Sequence, residues 1–385
     1  MASYTVPITA DVLTWAREEA GLTQAELAER VKTDVERLQA WEKAECSPTR
    51  GQFSKLVKAL KRPSALFFLP QPPRDAGMPT ALRKAPGLGD RRLSPNEIDQ
   101  IRWARRLQGL MGWVLRDAGT PKVELANYRT VDDPLQVARA ERSASGVNAA
   151  EQIKWATPAV AFRAWRSYLE DQGILVLQLS MGKDSIRGFS AWDDFAPMVA
   201  VNTAYHPTAR IFTLFHEVAH LLTRTDAACQ SFVIPGQQSA SVERWCERFA
   251  AAFLLPADDL RQVAQAYGIT AASPTDDPDT ARRIAKKFSV STRATAIRLQ
   301  ELDLAKPTLY PAVASQLAGH DWNAPGGGGG GRRASLKRIG QLGTRLPGTL
   351  MEAMGRGRLT TRDLADHLKL TTGQLEDLKG ELVGS

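Results

Sequence analysis

PMVAVNTAYHPTARIFTLFHEVAHLL, residues 197–222, followed by VERWCERFAAAFLLP at 242–256, is the part of the chain whose reading decides the fold. APMVAVN reads as a strand, and the run behind it as a helix carrying His216-Glu217-Val218-Ala219-His220. Residues four apart on a helix stand one turn above the other, so both imidazoles face the same way. That spacing suits two nitrogen ligands on one tetrahedral zinc ion. Glu217, offset to one side, is the candidate general base toward a metal-activated water. His216, His220, Thr213 and Thr223 form one stripe, while Phe215, Val218, Leu221 and Leu222 cover the opposite face. The helix is therefore expected to bury its apolar side and line a cleft with its histidines. The plain alternative is an amphipathic helix whose polar face meets water.

The second run supplies a third ligand. Cys246, Phe249, Ala250 and Phe253 make its apolar face, with Glu243 at the edge and Glu247 one turn on. Two carboxylates at this spacing repel unless a cation lies beside them. A metal held by Glu243 relieves that repulsion, and Glu247 is then placed to accept a hydrogen bond from a liganding histidine. Cys246 is the rival ligand, although its place within the apolar face suits a small core residue.

These two runs resemble the ImmA/IrrE family of metallopeptidases: a strand ending in Asn, a His-Glu-x-x-His helix, then a Glu-x-x-Ala-Asn-x-Phe-Ala helix before Leu-Leu-x-Pro. The resemblance is specific over about residues 185–260. It implies His216, His220 and Glu243 as metal ligands and Glu217 as catalytic carboxylate. It also implies a zincin-like domain that makes limited cuts in a protein, often a transcriptional repressor. Cys246 and Glu247 stand where the family has Ala and Asn, beside the site. His206 is a candidate electrophile for the oxyanion by proximity in sequence. Carboxylate and imidazole also suit Mn2+ and Fe2+, so the donors alone do not select zinc.

Working outward, residues 1–75 read as a helical unit. Thr9 and Thr23 are caps for the first two helices, Gly21 ends the first, and Pro48 and Thr49 open the fourth. TQAELAERV and TDVERLQAWEKAECSPT are similar to the XRE-type, repressor-like helix-turn-helix, which implies Gln24 near phosphate and Arg37, Gln39 and Lys43 as candidate DNA contacts. Asp34, Glu36 and Glu42 set negative charge on the same helix, and Ala44 stands where a turn glycine is usual. DNA binding and partner docking both remain open for this module. LFFLPQPPRDAGMP reads as a linker that packs down, and residues 76–320 as the peptidase domain with its core at about 155–265. Ile98, Ile101, Ala104, Leu107, Met111 and Val114 predict a long amphipathic helix. GILVLQL and IRGFSAW are two further strands. Six glycines at 326–331 mark a Gly-rich linker at 321–331, and 332–385 is a small basic helical domain. No further repeat stands out. The fold class is α+β, mostly helical.

Three cysteines, Cys46, Cys229 and Cys246, are odd in number and widely spaced, which excludes a disulfide framework and fits a reducing cytoplasm. The start of the chain has no secretory pattern, and no apolar run approaches a membrane span. A net charge of +8 favours polyanions, although it is spread along the chain. Arg332, Arg333, Lys337 and Arg338 form a basic run that suits phosphate or merely a solvated face. The leading expectation is a cytoplasmic zinc endopeptidase acting on a repressor or antitoxin, with DNA a further partner and a homodimer one expected assembly. Its rival is a DNA-binding regulator whose peptidase-like domain senses or docks without cutting.

Overall fold

A computed structural model describes residues 4–73, 81–83, 93–183, 185–225, 240–316 and 333–383. Cys229, Arg332 and the glycine tether lie outside them. The chain divides into two units, one of residues 1–78 with 90–102, the other of 79–89 with 103–385. Among the described residues no helix is long and apolar enough to cross a membrane.

The first unit holds α1 (Ala10–Glu19), α2 (Gln24–Val31), α3 (Val35–Glu42) and α4 (Arg50–Leu60), then a 3-10 turn at Ser64–Phe68. Local sequence makes these boundaries. Thr23 and Glu26 form a reciprocal capping box on α2, and Thr49 and Gln52 another on α4. Gly21 ends α1 at φ +66°. Leu13, Leu27, Leu38, Trp41, Leu56 and Phe67 close the core, so the apolar start of the linker does pack down. Thr9 does not cap α1: its hydroxyl donates to the Leu69 carbonyl at 2.7 Å, tying that linker back.

The second unit begins with β1 (Ala81–Arg83) and takes in the later turns of α5 (Pro95–Asp117). It continues through α6 (Pro134–Ala144), α7 (Ala149–Lys154), α8 (Pro158–Asp171), β2 (Leu175–Leu179), β3 (Gly188–Ala191) and β4 (Met198–Asn202). Then come α9 (Pro207–Thr223), α10 (Ala240–Leu254), α11 (Ala257–Gln265), α12 (Pro278–Phe288), α13 (Thr292–Glu301) and α14 (Leu309–Gln316). The last four are α15 (Ala334–Leu342), α16 (Arg345–Gly355), α17 (Thr361–Leu368) and α18 (Thr372–Val383). The fold is α+β and mostly helical. Its sheet has the order β1-β3-β4-β2; β2 and β4 are parallel, and both other pairings are antiparallel. β1 is a fourth strand beyond the three that periodicity predicts.

β4 is buried along its whole length, and α9 packs across β3 and β4. Asn202 ends β4 and is itself fully buried. Its amide donates to the Gly182 and Ile186 carbonyls, and its Oδ1 accepts from the Met181 and Ala204 N–H groups. One side chain thus closes the loop before β3 and the turn into α9. At the outer edge of β2, the Gln178 amide donates to the Gly340 carbonyl at 2.8 Å, so α15 covers an edge that would otherwise be open.

Ala44, just past α3, has φ +59°, in the left-handed region where a β-carbon is strained. Replacing Ala44 by Gly should raise the stability of the chain by about 1 kcal/mol. A higher midpoint in urea unfolding, followed by circular dichroism, is the expected result.

Candidate metal centre

His206 caps α9 and Pro207 fills its first position, so the helix starts at a fixed place and its register is set. Ten residues on, His216 is fully buried, as is Glu217, and His220 is nearly so. Among the described residues the histidine stripe is buried rather than lining an open cleft. The stripe lies beneath α10 and against β3, and Glu243, with 39% of its side chain exposed, is the part of the cluster nearest solvent.

Three donor atoms converge. His216 Nε2 lies 3.2 Å from His220 Nε2 and 3.2 Å from Glu243 Oε2, and His220 Nε2 lies 3.4 Å from Glu243 Oε1. A regular tetrahedron with metal–ligand bonds of about 2.0–2.1 Å has edges of about 3.3–3.4 Å. Each separation is close to such an edge, with Glu243 meeting the two rings through different oxygens, so these three residues could hold a divalent metal. Among the described residues this is the one group of three or more such side chains that could do so.

The charges are mutually dependent. Burial works against a charged His220 ring, but Cys246, Glu243 and Glu217 outweigh it and hold the imidazole well above its ordinary pKa. For Glu243 burial acts upward, while hydrogen bonds from His216 and His220 act downward and win, leaving the carboxyl well below the usual range. Two ring nitrogens and a carboxylate at this separation need a positive charge among them; a divalent cation supplies it without protonating either ring.

Supporting contacts decide which groups are ligands. His220 Nδ1 lies 2.9 Å from Thr225 Oγ1 and 3.6 Å from Cys246 Sγ. With Nε2 directed at the ligand cluster, Nδ1 carries the proton and donates to Thr225, which sets the tautomer. Cys246 is therefore on the wrong side of the ring to be a ligand. Burial also pushes its thiol pKa up, and it sits in the core, as the apolar-face reading expects. The role expected of Glu247 falls, for His220, to Thr225; Glu247 is exposed on α10. Ser190 on β3 donates to Glu217 Oε2 at 3.1 Å and is fully buried. Neither Thr225 nor Ser190 was legible beforehand, because nothing in the spacing of a loop threonine or a strand serine connects it with the histidines. Gly188 makes the approach of β3 possible: a β-carbon there would lie 2.6 Å from Thr213 Cγ2 and 2.7 Å from the Ala200 carbonyl.

His206 belongs elsewhere. Its Nδ1 accepts from the Thr208 N–H at the start of α9, about 15 Å along the axis from His216 at the ordinary helical rise.

In the first unit, Arg37 and Lys43 are exposed, as a DNA-contacting role requires. Gln24 and Gln39 are joined: Gln39 Nε2 donates to Gln24 Oε1 at 3.1 Å, and Gln24 Nε2 donates to Glu42 Oε2 at 2.8 Å. Glu42 is also paired with Arg17 at 2.6 Å, its side chain only 5% exposed. It therefore does not set negative charge on the outer face of α3. Asp34 and Glu36 do.

Residues 169–300 match the family model described as the IrrE N-terminal-like domain, a peptidase family, and residues 13–67 match the helix-turn-helix model. The chain thus carries a segment similar to the IrrE-type peptidase domain, and before it in sequence one similar to a helix-turn-helix. Among curated proteins, none matches the chain. The IrrE-type match contains the whole of α9 and α10, hence every residue of the cluster, and the helix-turn-helix match contains α2 and α3.

Replacing Thr225 by Val removes the acceptor at His220 Nδ1 and should weaken metal affinity about 10- to 100-fold with the fold intact. Glu243→Ala should lose more. Competition titration of zinc against a chelator measures both.

Proposed function

We propose that this protein is a zinc-dependent endopeptidase that makes a limited cut in one regulatory protein, a transcriptional repressor or an antitoxin. The observation that carries the reading is the convergence of His216, His220 and Glu243 beside a buried Glu217. A purely structural zinc site closes with four protein ligands and has no use for a neighbouring carboxylate held by a strand serine.

A divalent metal held by these three residues supplies Lewis acidity, polarising the scissile carbonyl and acidifying the attacking water. The chain's own groups do the rest. Glu217 takes the proton of that water and passes it to the leaving amine. The Ser190 hydroxyl restrains the carboxylate through Oε2, so Oε1 is the oxygen that exchanges the proton. Thr225 keeps the His220 ring in one tautomer. Narrow access fits a selective cut: two ligands and the base are buried, and only Glu243 is substantially open. Such a protein works in the cytoplasm, where a DNA-binding substrate is found, and the helix-turn-helix brings it to DNA or to that substrate.

Glu217→Gln keeps all three ligands and removes the base. It should bind one equivalent of zinc like the wild type and cleave a co-expressed repressor at least about 10²-fold more slowly. Elemental analysis and a cleavage time course read the two properties separately. Full zinc with undiminished cleavage would remove Glu217 from the mechanism. Zinc in neither protein, even when supplied, would leave the non-cutting DNA-binding regulator as the better account.

A further inference from the structure

LTQAELAERVKTDVERL at 22–38 and LTTRDLADHLKLTTGQL at 359–375 align without a gap and share six of seventeen residues. The structures of the two segments correspond position by position. α2 and α17 are each eight residues long, and each opens on a threonine that forms a reciprocal capping box with the acidic residue three later, Thr23 with Glu26 and Thr360 with Asp363. Each helix ends on a lysine in the left-handed region, Lys32 at φ 59° and Lys369 at φ 53°. Each turn then leads after two residues into the second helix, α3 or α18. The inward positions match as well: Leu27, Ala28, Val31 and Leu38 are buried, as are Leu364, Ala365, Leu368 and Leu375. In both segments the left-handed lysine stands nine residues after the capping threonine and three before the next helix, so residues 360–383 repeat the helix-turn-helix geometry of α2 and α3.

A third hairpin of this shape, α12 and α13 joined through Ser289 at φ 55°, shows what distinguishes a reader from a strut. In α13 the residues Ala294, Thr295, Ala296 and Arg298 are buried, so that helix is consumed by the core. In α18 the equivalents of Thr295 and Arg298, Leu375 and Leu378, are also buried, but the equivalent of Ala296, Glu376, is exposed, as are Thr371, Thr372, Gly373 and Asp377. Trp103 holds the hairpin by its turn. Its indole N–H donates to the His367 carbonyl at 2.9 Å, and the Lys369 ammonium lies 4.4 Å above its ring.

Charge selects the partner. Residues 332–385 carry ten Lys and Arg against six Asp and Glu, whereas residues 1–75 carry eleven against ten. Half of the chain's net +8 therefore resides in the segment that holds this second hairpin. Arg356, Arg358 and Arg362 are exposed around the start of α17, the part of a helix-turn-helix that crosses the phosphate backbone. Arg356 and Arg358 meet Glu352 and Asp117, but these are surface pairs with side chains more than half exposed on the arginine side, which a phosphate displaces at little cost. At the tip of α18, two hydroxyls and a glycine leave room for close approach to base edges, and Glu376 and Asp377 in the next turn suit the cytosine amino group.

We propose that residues 333–383 form a second DNA-binding module, with α18 in the major groove of duplex DNA and Arg356, Arg358 and Arg362 on its phosphates. The module is independent of the peptidase reading, since nothing in it touches the metal ligands.

The test uses the full-length chain with the first helix-turn-helix disabled by Arg37→Glu and Lys43→Glu, and a fluorescent pool of random-sequence duplexes. In this background duplex DNA should still bind. Adding Arg356→Ala, Arg358→Ala and Arg362→Ala should weaken it at least about tenfold and make the salt slope shallower by about three. Gly373→Glu places a charged side chain where a β-carbon meets nothing within 4 Å, so it should leave the unfolding midpoint unchanged while abolishing enrichment of any sequence from the pool. If the α3-disabled chain binds no duplex, or if neither set of substitutions changes its binding, the proposal is wrong and α18 is a protein-docking face.

Discussion

The proposed metal centre depends on keeping the donor groups of His216, His220 and Glu243, from two helices, within 3.2–3.4 Å of one another, with both histidines in the interior. That separation is repulsive without a cation, so packing must hold α9 and α10 together independently of the metal. An aromatic cluster does so. Phe215 on α9 stacks on Phe253 of α10 at 4.2 Å, and Trp165 on α8 meets both rings, at 4.9 Å and 5.4 Å. Contacts of this kind contribute about 0.5–1.5 kcal/mol each beyond the area they bury. Phe215 immediately precedes His216, and Phe253 follows Glu243 on the same helix, so the rings that join the helices also fix the height at which their ligands meet.

The sheet contributes on the other side of α9. It can come close only because Gly188 has no side chain, and that closeness brings the Ser190 hydroxyl to Glu217. The carboxylate is thereby gripped from the strand, while the two imidazoles are gripped from α10 and from Thr225. Burial strengthens each of these contacts, because a low-dielectric surrounding leaves no competing water. It also makes the cluster intolerant of a missing member: an unpaired ionised group at this depth is expensive. The centre is thus better described as a small network than as a motif.

Among the described residues, three hairpins share this turn geometry and differ in use. α12–α13 is buried as scaffold, whereas α2–α3 and α17–α18 leave the leading face of the second helix open. The inner network Arg17–Glu42–Gln24–Gln39 removes a negative charge from the face of α3 and fixes both glutamines against each other. Shape alone does not make such a hairpin a nucleic-acid reader; exposure and local charge do.

Local pattern determined a great deal here. The strands around 175–202, the α9 and α10 helices, the caps at Thr23 and Thr49 and the pairing of His216 with His220 follow from local pattern, since residues four apart on a helix must share a face, whereas the meeting of Glu243 with that pair is made by the packing of α10 on α9. The likeness between 22–38 and 359–375 is also present in the residues, but six identities in seventeen gain meaning only from the left-handed lysine and capping box that both segments share. Tertiary structure alone decided the rest. Ser190 and Thr225 reach the site from elements whose own sequence says nothing about it, and Cys246 was separated from the metal by which ring nitrogen it faces. Glu42 turned inward because Arg17 lies opposite, and Thr9 gave its hydroxyl to Leu69 because the linker folded back. Periodicity reports which residues share a face; what that face meets depends on contacts between segments far apart in the chain.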